Sequence, residues 1–156
     1  MAARLLKGAE LEAISPARAP RDDPCSKAFS GYEEALAHYG YSRIYSAIPA
    51  ANILIAQGDN GGICVYCNHN PIQDIDHVYP LKEHWRRKGA TMLQADRSTE
   101  ANHIRNLVGA CANCNRSKGS KLLRNGWNPP AWGGPWWPFG PLRAQQYNNP
   151  GPYWPP

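Results

Sequence analysis

Four of the five cysteines fall in two C-x-x-C pairs, Cys64-Val65-Tyr66-Cys67 and Cys111-Ala112-Asn113-Cys114, with 43 residues between them. Each pair presents two sulfurs on one tight turn. Two such knuckles supply the tetrahedral four-sulfur set of a structural Zn²⁺. Two disulfides and a spare thiol would use the same residues, but paired C-x-x-C spacing favours the metal. The interval is too long for a simple zinc ribbon, so an insert must fold between the knuckles. Cys25 stands apart beside Pro24 and reads as a non-ligand.

The rest of the chain arranges itself around these knuckles. Its 156 residues allow one domain plus tails. Glycine and proline together number 29, about twice the usual level, so much irregular chain is expected around a small ordered centre. No run of 18 apolar residues exists, which excludes a membrane-spanning helix. The first residues lack the apolar stretch of a secretory signal, so a cytoplasmic location is expected. The net charge of +5 is unevenly placed: residues 60–126 carry ten basic and five acidic side chains, whereas residues 1–59 carry six and seven. A positive field over the cysteine-bearing segment suits a polyanion such as nucleic acid.

Four segments follow. Residues 1–29 read as a flexible N-terminal segment, with a short helix over 4–13 and a proline-rich linker. Residues 30–58 read as a helical extension. Ser30 and Glu33 make a capping box, Gly40 a stop, and a second helix over 42–57 is disturbed near Pro49 and capped by Gly58. Within 59–126, DNGG is a turn, 73–79 alternates as a strand ended by Pro80, and 81–88 forms one or two helical turns. Residues 89–102 read as loop, 106–110 as a short strand, and 113–125 as a basic helix. Residues 127–156 hold five of the six tryptophans and nine of the fifteen prolines, which excludes a regular helix or central strand. Residues 127–142 are expected to wrap over the module and bury their aromatics, because exposed tryptophan at this density invites aggregation; the competing reading is an aromatic platform for bases or a protein partner. The last dozen residues are expected to be disordered or held by a partner.

The order strand, long connection, strand, helix brings a polar set together. Asp76 and His77 end the first strand, Asn106 begins the second, and Asn115 follows Cys114 on the helix. A carboxylate and an amide oxygen are hard ligands for Mg²⁺ or a similar ion. An imidazole beside them can take a proton from water near neutral pH. Arg116, Lys118 and Lys121 can neutralise flanking phosphates, and Arg86, Arg87 and Lys88 can face the same substrate, with His84 among them. His103 lies close enough in sequence to Asn106 to shape the site, and His69 stands two residues after Cys67.

The residues CVYC, DHVYP and NLVGACANCNRSKG, taken in order over about 63–121, resemble the four-cysteine type of HNH endonuclease. The resemblance implies an α+β, ββα-metal module stapled by Cys64, Cys67, Cys111 and Cys114. It implies His77 as general base, Asp76 and Asn115 as ligands of a catalytic Mg²⁺ or Mn²⁺, and Asn106 as the asparagine that orders the loop and the base. Lys118 matches the family lysine near the phosphate. Asn115 occupies a place that is often histidine, and Asp with Asn favours Mg²⁺ or Mn²⁺ over a catalytic Zn²⁺. The expected activity is hydrolysis of DNA, with RNA as an open alternative substrate. No recognised DNA-reading domain accompanies the module, which points to weak sequence specificity. A compact nuclease with a helical N-terminal extension resembles bacterial toxin or effector nucleases, and that resemblance implies delivery into a target cell and an immunity protein as partner. The alternatives are a phage or restriction-type endonuclease, or a zinc-dependent nucleic-acid-binding module without catalysis.

Overall fold

The computed structural model describes residues 32–40, 44–124, 126–131 and 137–148. The helix expected over 4–13, its linker, Cys25, the Ser30 cap and the end of the tail from 149 lie outside the described residues. What is described is a mixed helix-and-strand chain with two small sheets. Helix α1 (Tyr32–Tyr39) buries Ala35 and packs Tyr32 and Leu36 against the core, and Gly40 ends it. The expected long second helix is shorter than predicted. Residues 46–49 are not helical, and α2 (Ala50–Gln57) begins only after Pro49, because proline biases the residue before it away from helical angles.

The centre is a two-stranded antiparallel sheet of β1 (Asp74–His77) and β2 (Leu107–Ala110), with Asp74 opposite Ala110, Asp76 opposite Val108 and His77 opposite Leu107. Helix α2 lies over β2 so closely that Gly109 has no room for a side chain. A Cβ there would stand 2.5 Å from the carbonyl of Ala56. Strand β1 stops at His77, short of the expected end at 79, and Pro80 is the N-cap of α3 (Leu81–Arg87).

The expected loop over 89–102 is wrong in its second half, where α4 (Gln94–Ala101) forms. Its buried face is Arg97, Ser98 and Ala101, so no apolar stripe announced it. After β2 comes α5 (Ala112–Lys118), shorter than the helix expected over 113–125. Gly119 stops it at φ +51, ψ −130, a conformation that side-chain-bearing residues avoid. Two-residue strands β3 (Leu122–Leu123) and β4 (Gly126–Trp127) follow.

Two apolar clusters hold these elements. One gathers Ile44, Tyr45, Trp85 and Ala101 with Ala35 of α1. The other surrounds the knuckles and includes Val65, Tyr66, Val108, Leu123 and Trp137. The tail enters the second cluster as expected. Trp137 stacks on Tyr66 at 5.4 Å between centroids and 6° between planes, and its indole N–H donates to Val65 O at 3.0 Å. Trp127 meets the same tyrosine ring edge-on at 5.1 Å. Order runs further into the tail than expected, since residues 142–148 form a 3-10 turn. Arg143 there grips Asp59 with two hydrogen bonds (2.7 and 2.8 Å) and also donates to the carbonyls of Ile104 and Leu107.

Candidate functional site

The two knuckles close on one another. The sulfurs of Cys64, Cys67, Cys111 and Cys114 all lie within 4.8 Å of one another, and Cys67 and Cys111 are 4.0 Å apart. Sulfurs around one ion at about 2.3 Å in a tetrahedron sit about 3.8 Å apart, so the four cysteines are positioned to bind a metal such as zinc. Cys64, Cys111 and Cys114 are buried. Burial pushes the thiols of Cys64 and Cys114 up, and the neighbouring sulfurs raise Cys114 further. Burial also acts to raise Cys111, but N–H donation from Cys114 and the Asn70 amide outweigh it and bring Cys111 down to about 7. One low thiol among crowded neighbours suits a cation that neutralises all four. His69 is exposed and stays outside this cluster.

Tyr66 carries the knuckle's geometry onward. Its hydroxyl donates to Asp76 Oδ2 at 2.6 Å. Burial, then the Asp76 carboxylate, holds this phenol well above its ordinary range, so it remains a donor. The same Oδ2 lies 3.0 Å from Lys118 Nζ, which also donates to the carbonyl of His77 at 2.8 Å. Both contacts to Asp76 run to Oδ2, and Asp76 shares with His77 the lining of a cavity of about 210 Å³. Tyr32, Lys82, Gly119 and Ser120 complete much of that lining.

His77 is half-buried, and its Nε2 lies 2.7 Å from Asn102 Oδ1. Burial lowers its pKa; Asn102 and Asp76 push back, and Lys118 adds to the lowering. A neutral imidazole at neutral pH is the form that accepts a proton. Asn106 is fully buried and acts on the backbone. It accepts from the Tyr79 N–H at 2.7 Å and donates to the carbonyls of Tyr79 (3.1 Å) and Ala101 (2.9 Å). It therefore pins the turn after β1 to the end of α4, and the base itself is held by Asn102.

Not every predicted site residue joins this cavity. Asn115 gives its amide to Asp74 Oδ2 at 3.1 Å and does not line the cavity with Asp76 and His77. Asp74, Asp76, Asn115 and Lys118 do share one face, that between β1 and α5. Asp76 Oδ1 and Asn115 Oδ1 lie outside these bonds, and oxygens of both kinds are ligands that hard divalent ions take. Lys118 departs furthest from the surface position expected of it. It has no exposed surface and holds Asp76 and His77 from within, so it is no surface partner of phosphate. Arg116 and Lys121 are exposed on and just after α5. Arg86 is exposed but paired with Glu83 at 2.7 Å, Lys88 is paired with Glu100, and Arg87 is exposed. His84 faces inward, 1% exposed and hydrogen-bonded to Tyr45 at 2.6 Å, so it does not meet a substrate. His103 is exposed and caps a 3-10 turn by accepting the Arg105 N–H.

Three residues of the site escaped the sequence reading. Asp74 stands two before Asp76, on the same face of β1, so strand alternation could have found it. Tyr66 carries no signal beyond its place in a knuckle. Asn102 lay in a stretch read as loop. Comparison with family models, curated proteins and solved structures returned no match to this chain. Among the described residues no helix is long and apolar enough to cross a membrane.

Proposed function

We propose that this chain is a metal-dependent endonuclease of the HNH type that hydrolyses phosphodiester bonds of DNA with weak sequence preference. One observation carries the reading: a half-buried imidazole, fixed by an asparagine, shares an open cavity with a carboxylate at the end of a two-stranded sheet that a helix and four cysteines brace. Zn²⁺ is the ion assigned to the cysteines, where it staples a module whose core is small. Asp76 from β1 and Asn115 from α5 would hold Mg²⁺ or Mn²⁺, which supplies charge stabilisation at the phosphate and the leaving oxygen. His77 takes the proton of the attacking water. Lys118 and Tyr66 hold the Asp76 carboxylate in place. Arg116 and Lys121 offer positive charge to the flanking phosphates.

The test is nicking of supercoiled plasmid in a series of divalent metals. Wild type should nick in Mg²⁺ or Mn²⁺, and His77→Ala should lose cutting while keeping its fold. Equal cutting by His77→Ala would remove the proposed base. Salt-sensitive retention on DNA without cutting would show a binding module instead. A parallel digest of duplex RNA decides the substrate.

A further inference from the structure

Helix α4 is capped at its C-terminus by Asn102, which is 3% exposed and whose side chain has two partners. Its Nδ2 donates to the carbonyl of Ser46 at 2.8 Å, and its Oδ1 faces His77 Nε2 at 2.7 Å. The Ser46 peptide is itself held to α4, because its N–H donates to Ser98 Oγ at 2.8 Å. Asn52 Nδ2 donates to the Asn102 carbonyl at 3.0 Å. The amide is thus tied on one side to the segment that precedes the knuckles and on the other to the imidazole.

These partners settle the direction of every bond. A backbone carbonyl only accepts, so the amide edge facing Ser46 must be the NH₂ group. The edge facing His77 is then the oxygen, which also only accepts. Nε2 must therefore carry the ring proton, and in the neutral ring Nδ1 is left as the basic atom. We infer that Asn102 is the positioning residue that fixes the tautomer and orientation of His77, with Ser46 as its anchor, so that Nδ1 is the atom that receives the proton of water. This rests on the nuclease reading for its chemistry. The water proton passes to Nδ1, the water oxygen bonds to phosphorus, and the bond to the leaving oxygen breaks with its electron pair, that oxygen then taking a proton from solvent. The helical extension acquires a task by this route: through Ser46 and Asn52 it holds the residue that aims the base.

The decisive measurement is a long-range ¹H–¹⁵N spectrum of the zinc-loaded full chain at about pH 8, without substrate. Wild type should show His77 protonated at Nε2, with a ring N–H resonance protected from exchange. Asn102→Ala should lose that protected resonance and lower kcat for plasmid nicking by about 10- to 100-fold, with KM within about twofold. Asn102→Asp keeps an accepting oxygen for Nε2 but gives up the donor to the Ser46 carbonyl, so it should keep the ring proton on Nε2 with weaker protection from exchange. The wild-type spectrum decides the tautomer even if a variant does not fold. Plasmid cutting by wild type with the ring proton on Nδ1 overturns the positioning role, as does a folded Asn102→Ala with wild-type kcat. The Nε2 proton in place without any cutting by wild type overturns the nuclease reading.

Discussion

Replacing Lys118 by methionine separates a buried strut from a surface phosphate ligand. Lys118 has no exposed surface, Asp76 is 6% exposed, and Nζ lies 3.0 Å from Asp76 Oδ2 and 2.8 Å from His77 O. Methionine fills most of the volume but removes the charge. Asp76 then keeps only the Tyr66 hydroxyl on Oδ2, and the His77 carbonyl loses this donor. Deleting one member of a buried ion pair costs about 3–5 kcal/mol. An orphaned carbonyl alone costs about 1–3 kcal/mol, part of which that figure already contains. A loss of about 4 kcal/mol is therefore expected, a large share of the roughly 5–15 kcal/mol that holds a domain together. Urea unfolding measures it, and a double-mutant cycle with Asp76→Asn should recover a coupling of about 1–3 kcal/mol. A second assay follows DNA affinity against salt. Because Lys118 does not reach the surface, Lys118→Met should leave the salt slope unchanged, whereas Lys121→Ala should lower it by about 1. A folded Lys118→Met that loses under about 1 kcal/mol and also flattens the salt slope would refute this reasoning.

Stripping the metal from the cysteine cluster, or making Cys111→Ser, should unfold the sheet and α5 together, because Cys111 caps α5 and both knuckles border β2. Far-UV circular dichroism before and after chelation checks this, and an unchanged melting curve would sink it. His84 gives a pH dependence. Burial, then the charges of Lys88 and Arg97, lower it to about 4. Between about pH 6.5 and 4 the unfolded chain therefore binds a proton that the folded chain refuses, and stability declines as pH falls through that window, by about 3 kcal/mol at its acid end. Urea midpoints at pH 7 and pH 5 should show more than half of that loss, and His84→Gln should flatten the slope. Trp137→Ala should cost about 3–5 kcal/mol, since it empties a buried ring site stacked on Tyr66 and breaks the bond to Val65 O. A thermal shift of only a degree or two would show that the tail is not part of the core.

Local features were the legible ones. The knuckles, β1, the Pro80 boundary and α3 follow from spacing and punctuation within a few residues. Helix α4 was hidden because it buries Arg97 and Ser98 where a periodic reading looks for apolar side chains. The extent of α5 was misjudged because Gly119 halts it at an angle that only the folded backbone reveals. Of the site, His77 and Asp76 line one cavity, whereas Asn115 bonds Asp74 and the imidazole meets Asn102, a residue no motif marks.

By itself the sequence determined that two cysteine knuckles would gather four sulfurs, and that a carboxylate and an imidazole would end the strand between them. Each C-x-x-C pair and the Asp-His dipeptide are set by neighbours one to three residues apart, and the shared chemistry of the two pairs calls for one ion although they meet across 44 positions. Only the tertiary structure decided what each polar group touches. His77 meets Asn102 across 25 positions, Lys118 meets His77 across 41, and Arg143 meets Asp59 across 84. Such bonds form where packing leaves a donor and an acceptor facing each other out of water, and no local pattern records which pair that will be.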